Sequence, residues 1–484
     1  MKFEHLLAQA SSILQIWEYN NDPTTNESVV DESTKPYADL GIFLSSHCHV
    51  LLAIWNGKFT NEIGGTSQVV YFHHEDHMPG YTEQSLASLQ RLADDESDLV
   101  YHIVCSRNRS AGEPESSLKP LEWYWYTKDV ENSRSKELPI QHKKIFARGA
   151  EFNRDITKYS LRIYTEMYSL IVPEEKSKLS DGVESIDRLF GVADWLAIYY
   201  KKLSLRTLFI THTAAFFMGL MFLLYSDFSV NNVFMLFFLI FFGAAIATDR
   251  FTKKRGWTRK YLDYRTLAEG LRVQFYWASA GISNEGKWRF AHDSFLQTQD
   301  PEFGWIRHVM RVAGTNYDAS PKSSTSGLDY AIREWVGNGS TGQLGYYKKV
   351  ASERIKRERL TKLADRISLS ISGISVLIFL LFGTSLSDNQ TSALFLLMGT
   401  TLLLYAIREG YSNATAVKEL IKQYEFMLRI FDNAHRRLKE TDDNFERKKI
   451  LIALGQSALE EHADWILMHH ERSLDQSEIW RMGN

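Results

Sequence analysis

The stretch LRTLFITHTAAFFMGLMFLLY, Leu205 to Tyr225, decides how the rest of the chain is read. It has one charged residue, Arg206, at its start, and no polar stripe at helical spacing. A soluble amphipathic helix keeps such a stripe, whereas a helix crossing about 30 Å of hydrocarbon needs roughly 20 apolar residues and no stripe. Three further blocks share the pattern: VNNVFMLFFLIFFGAAIA (230–247), ISLSISGISVLIFLLFGTSL (367–386) and TSALFLLMGTTLLLYAI (391–407). They come in two pairs, joined by the short connections SDFS and SDNQ, so each pair is expected to be an antiparallel helical hairpin.

The charges around the pairs set their expected orientation. Lys201, Lys202 and Arg206 flank the first block, and Arg250, Lys253, Lys254 and Arg255 follow the second. Arg354, Lys356, Arg357, Arg359, Lys362 and Arg366 precede the third, and Arg408 and Lys418 follow the fourth. Neither connection carries Lys or Arg, so the positive-inside rule makes both pairs dip into the bilayer from the cytoplasm, with both termini cytoplasmic. Gly219, Gly243, Gly373, Gly383 and Gly399 allow close helix approach. No carboxylate or arginine lies deep in a block, so no ion path is marked. His212 lies about two turns from the cytoplasmic end. The hydroxyls of Ser368, Ser370, Ser372, Ser375, Thr400 and Thr401 suit helix packing, with a pore lining as the alternative.

Around these blocks the 484 residues carry a net charge of −3 and two cysteines, Cys48 and Cys105. That balance gives no basic field for nucleic acid, and two thiols make no disulfide framework. The N-terminal MKFEHLLAQASSILQIWEYNND does not read as a signal peptide, since Glu4 and polar residues interrupt any apolar run. Four regions are expected: an α/β module over 1–150, a first two-helix membrane unit over 151–300, a flexible linker over 301–340 and a second membrane unit over 341–484. The linker reading rests on AGTNYDASPKSSTSG. The membrane units read as a diverged duplication, each with an approach helix, two spans and an amphipathic exit helix. Leu262, Leu267 and Leu271 mark one exit, and Leu420, Tyr424, Met427, Ile430 and Phe431 the other. Trp465 and Leu467 in a last helix are read as packing anchors.

In the N-terminal module, KPYADLGIFLSSH reads as a helix, CHVLLAIWNG as a buried strand ending in a turn, SQVVYFHHE as a helix and SDLVYHIVCSR as a second buried strand. PLEWYWYT is a third extended piece. Alternating strands and helices predict a parallel, Rossmann-like α/β sheet, with ligands beyond the C-terminal strand ends. The loop there is NEIGGTSQVV, Asn61 to Val70. Asn56, Gly57, Gly64, Gly65, Thr66 and Ser67 are the candidate ligand residues: the glycines permit close backbone approach, and the opening amides of a helix favour a phosphate. Taken alone, Gly-Gly-Thr equally describes a tight turn. FHHEDH places His73 and His77 one turn apart but lacks a third metal ligand, so no metal site is expected. In SHCHV, strand geometry points His47 and His49 away from Cys48, which reads as a structural thiol. Arg107 and Arg109 suit an anion site or a surface loop.

Two resemblances extend this reading. RKYLDYRTLAEGLRVQFYW and ALGQSALEEHADWILMHHERSL resemble the cytosolic helices of SLATT-type two-helix membrane effectors, over about 190–290 and 341–475. That resemblance implies bacterial conflict-system proteins that assemble in the inner membrane and damage it when triggered. YADLGIFLSSHCHVLLAIWNGKFTNEIGGTSQVVYF with DLVYHIVCSR resembles SLOG-type domains over about 36–130, the group that includes Lonely Guy phosphoribohydrolases. That resemblance implies a nucleotide-derived ligand with its phosphates at Gly64, Gly65 and Thr66. Those enzymes carry a glutamate about three positions after Gly-Thr, where this chain has Ser67, Gln68 and Val69, so sensing is favoured over hydrolysis. The first βαβ unit of that fold is expected to be missing. The combined expectation is a sensor–effector homo-oligomer in the bilayer, without a cofactor. The alternatives are a membrane-tethered N-glycosidase, with Glu62 as a substitute acid, and a passive membrane scaffold.

Overall fold

The computed structural model describes residues 2–10, 13–14, 16, 34–82, 98–108, 112–128, 133–180, 182–227, 230–282, 292–296, 301–319 and 325–478. It is mostly helical, with four helices long and apolar enough to span a membrane and a small four-stranded mixed sheet. The chain divides into two compact units, 1–194 with 266–331, and 195–265 with 332–484.

The first unit opens with α1 (Lys2–Gln9) and α2 (Lys35–His47), followed by β1 (Leu51–Trp55), α3 (Thr66–Glu75), β2 (Val100–Val104), β3 (Trp123–Tyr126) and β4 (Arg134–Ser135). The sheet order is β1-β2-β3-β4. β1 and β2 are parallel, with Ala53 opposite His102, but β2–β3 and β3–β4 are antiparallel. The expected strands and helices therefore form where the hydrophobic pattern placed them, whereas the expected all-parallel sheet reduces to one parallel pair. The described residues between β2 and β3 form turns and no helix, and without a crossover helix the chain returns antiparallel. One face of the sheet packs on α3, in a core of Ala53, Trp55, Val70 and Val100. α2 joins α3 through Ala38, Ile42, Phe72 and Met78, with Gly41 so close to Val69 that an added Cβ would lie 2.4 Å from a valine methyl.

α4 (Ile140–Glu166) follows the sheet, and the unit takes in the start of α5 (Val183–Asp227), the end of α7 (Trp257–Ser279), α8 (Gly304–Ala319) and α9 (Thr325–Ala331). Phe152 of α4 stacks obliquely on Trp305 of α8, with centroids 5.3 Å apart. Fully buried Asp293 pairs with Arg311 of α8 at 2.8 Å. The linker expected over 301–340 is thus corrected over its described residues. Residues 304–319 form a helix whose Trp305, Ile306, Met310, Ala313 and Tyr317 are buried, and polar composition concealed that 3.6-residue apolar period. Residues 320–324 of that stretch lie outside the described residues.

The second unit holds the spans: the membrane part of α5, α6 (Asn232–Arg255), α10 (Gly342–Phe382) and α11 (Asp388–Ala414). In the most apolar window of each, no more than 11% of residues are buried. Exposing a Leu, Ile or Phe side chain to water costs about 1.5–3 kcal/mol. Phe209, Phe217, Phe222, Leu236, Phe237, Leu239, Ile240, Leu377, Leu380 and Leu381, each partly exposed, would together cost an amount comparable to the roughly 5–15 kcal/mol that holds a domain together. A surrounding bilayer would remove that cost.

Each pair is a hairpin. Phe217 and Phe222 of α5 meet Phe241 and Phe238 of α6 at 5.4 and 6.3 Å. Phe379 of α10 meets Phe395 of α11 at 4.9 Å, and a capping box at Ser387 and Gln390 starts α11. The hairpins join through α5 and α11. A Cβ on Gly219 would lie 2.8 Å from Leu403, and one on Gly399 would lie 2.8 Å from Leu223. Each leucine fills the gap left by the other helix's glycine. The residue numbers rise on α5 as they fall on α11, so these helices are antiparallel and both hairpins enter from one side. Ser372 donates to the Met398 carbonyl at 3.1 Å, and Thr401 donates to Ser372 at 3.3 Å. With Ser375 also buried, these hydroxyls serve packing.

In both halves the approach segment and first span are one unbroken helix, α5 with 45 residues and α10 with 41. Both second spans end at a left-handed residue, Gly256 (φ 61°) and Ala416 (φ 50°), before an exit helix, α7 or α12 (Val417–Glu440). α12 buries Ile421, Met427, Phe431, Ala434 and Leu438 against α10 and α13 (Asn444–Glu478). Tyr347 of α10 meets Tyr424 and Phe431 at 5.8 and 5.5 Å. Trp465 of α13 is buried, as expected, but Leu467 is exposed.

Gly219→Val is expected to destabilise the membrane region by about 1–3 kcal/mol, since no void receives the added methyls beside Leu403. Gly243→Val is expected to be nearly neutral, since nothing lies within 4 Å of its Cβ position. Thermal unfolding of the two variants in detergent micelles checks the contrast.

Candidate functional site

The loop after β1 is held by its own polar groups. Asn56 is buried; its Oδ1 accepts from the Lys58 amide at 3.2 Å, its Nδ2 donates to the Glu113 carbonyl at 3.5 Å, and its carbonyl accepts from the Glu115 amide at 2.9 Å. Gly57 has φ +87°, and a Cβ there would lie 2.6 Å from Leu118. Ser67 donates to the Thr60 carbonyl at 3.2 Å, and its Oγ accepts from the Thr60 amide at 3.1 Å. The close approach expected at Gly64 occurs toward α2: at φ +74°, an added Cβ would lie 2.8 Å from the Ala38 amide nitrogen. The Gly65 amide closes a turn onto the Glu62 carbonyl at 2.9 Å. Asn56, Gly57, Gly64 and Ser67 therefore shape the loop.

The first turn of α3 is set inward, with Thr66 half-buried and Ser67 and Gln68 buried. Gly65 is its N-cap, and no side chain caps it. Helix geometry leaves the first amides of the turn, from Thr66 to Gln68, without intrahelical partners, at the positive end of the dipole. Gln68 in that turn is fully buried, yet neither atom of its side-chain amide has a partner. Sequence reasoning passed over Gln68, because an isolated glutamine carries no motif.

The other sequence candidates separate. Arg107 is exposed in the loop after β2, and Arg109 lies outside the described residues. His73 is hydrogen-bonded to the Leu99 carbonyl at 3.3 Å and His77 to Thr82 at 3.3 Å, and among the described residues no three His, Cys, Asp or Glu side chains gather as a metal site. Burial pushes the Cys48 thiol up to about 11, so it stays protonated and inert at neutral pH. His47 is hydrogen-bonded to Asp318 at 3.0 Å. His49 stacks on His308 with ring centroids 3.3 Å apart and meets Phe146 edge-on at 4.9 Å. Burial, then the neighbouring His142 and Arg311, hold His49 down at about 4, and burial lowers His142 as well.

An open cleft of about 630 Å³ lies at the opposite end of the sheet. Its walls are the residues just before β2, just after β3 and β4, and the first turn of α4. No protein-family model, curated protein or solved structure matches this chain.

Gly64→Ala is expected to cost about 1–3 kcal/mol, from the left-handed backbone and the clash with α2, read from thermal unfolding. Acid is also expected to destabilise the fold. His49 and His142 are neutral when folded, so below about 6.5 the unfolded chain binds more protons. The melting temperature should fall as pH drops from about 6.5 toward 4, and His49→Phe, which keeps an aromatic stack, should flatten that slope.

Proposed function

We propose that this chain is a membrane sensor–effector: an N-terminal module takes up a nucleotide-derived ligand in the cytosol, and the four spans respond by permeabilising the bilayer. One observation carries the proposal. The approach segments are continuous with the spans, α5 and α10 each running unbroken from an extramembrane stretch into lipid-facing length. A helix transmits a tilt or shift along its length, whereas a flexible tether does not, so a bias on the approach segment reaches the span. Ligand binding must differ between two states of the assembly for this to work.

The uncapped α3 turn and the unpartnered Gln68 amide support a phosphate at Thr66, which the SLOG resemblance assigns, and at the neighbouring Ser67 amide. The antiparallel α5–α11 contact supports a shared entry side for the hairpins, and the basic flanks support a cytoplasmic entry side. With the SLATT resemblance, the reading is a homo-oligomer in a bacterial inner membrane.

Purified protein in dye-loaded liposomes is expected to leak on addition of a nucleotide set, with leakage reduced by about tenfold or more in Thr66→Asp, whose carboxylate repels a phosphate at the helix start. Liposomes that stay sealed with every nucleotide would sink the proposal.

A further inference from the structure

The cleft at the far end of the sheet is built around the N-terminus of α4, a 27-residue helix. Its N-cap is Pro139, which has no side-chain acceptor, and its first turn holds no acidic residue. The amides of Ile140, Gln141 and His142 therefore present an uncompensated positive helix end.

A second, independent feature stands in the same wall. His142 is 4% exposed, and neither ring nitrogen has a hydrogen-bond partner. Burying an imidazole without partners is unfavourable, and a bound acceptor relieves that cost at the nitrogen that carries the proton. Lys143 is exposed on the rim, and Lys128 lies in the opposite wall. The wall also holds two carboxylates. Asp98 accepts the Lys128 amide at 3.2 Å, and Glu137 is exposed beside Ser135. Carboxylates repel a ligand that is anionic throughout, but they accept hydrogen bonds from hydroxyls.

We propose that this cleft binds a small phosphorylated polyol of the sugar-phosphate class, with its phosphoryl group on the α4 amides, His142 and Lys143 and its hydroxyls on Asp98 and Glu137. The volume lies within the range of small-molecule sites. The site is separate from the β1–α3 loop and stands independently of the sensor–effector reading.

Hydrogen–deuterium exchange on the full chain in detergent tests it, with glucose 6-phosphate, inorganic phosphate and glucose as probes. Glucose 6-phosphate is expected to slow exchange at residues 140–143; inorganic phosphate should do so more weakly, and glucose not at all. Lys143→Glu, at an exposed position that does not bear on folding, should weaken binding by about tenfold. His142→Leu should weaken it likewise, with Lys143→Glu deciding if that variant does not fold. Protection at residues 66–69 alone would move the ligand to the β1–α3 loop, overturning this inference while leaving the sensor–effector reading intact. No protection with any probe, or full binding in Lys143→Glu, also overturns it, whatever the liposomes do.

Discussion

The reciprocal fit of Leu403 beside Gly219 and Leu223 beside Gly399 is the contact on which the membrane region depends. Lipid is as apolar as leucine, so no hydrophobic force drives two spans together there, and close packing must supply the attraction. Two glycines, each matched to a leucine one turn along the partner helix, let α5 and α11 approach closely enough for dispersion to act. The outer helices α6 and α10 then attach to that pair through their aromatic and hydroxyl contacts. The shared entry side follows from the same contact, because an antiparallel α5–α11 pair admits only one relative orientation of the hairpins.

The sheet presents two helix N-termini, at opposite ends. α3 starts beyond the C-terminal end of β1, and α4 starts beside the N-terminal end of β2. Neither is capped by a side chain, and each carries a buried side chain without partners in its first turn, Gln68 or His142. The loop at the first end spends most of its polar groups on itself, through Asn56 and Ser67. The second end is a cleft, and its lysines and carboxylates come from separate parts of the chain.

Much of this was legible in the chain itself. The four spans are continuous apolar runs, so their length and hairpin pairing follow from local composition. Leu262, Leu267 and Leu271 are buried as their spacing implied. Individual strands and helices of the N-terminal module also form at their hydrophobic patterns. The glycines at 64 and 65 announced a tight backbone, but not which backbone Gly64 approaches; that neighbour is α2, roughly 26 residues upstream, and no local pattern encodes it. Helix α8 was hidden because Ser, Thr and Gly at the end of its run read as a linker, while its apolar period lay further upstream.

The sequence by itself determined that four segments are long and apolar enough to cross a bilayer, because a run of about 20 apolar residues is a local property and needs no partner. It also placed three of the four strands, since alternation and turn residues act over a few positions, but not the short β4. Tertiary structure alone decided that β3 and β4 return antiparallel, that α5 meets α11, and that Asp98, Lys128, Ser135 and His142 share one cleft. Those are matches between residues distant in the chain, and only the packed fold brings them within contact distance.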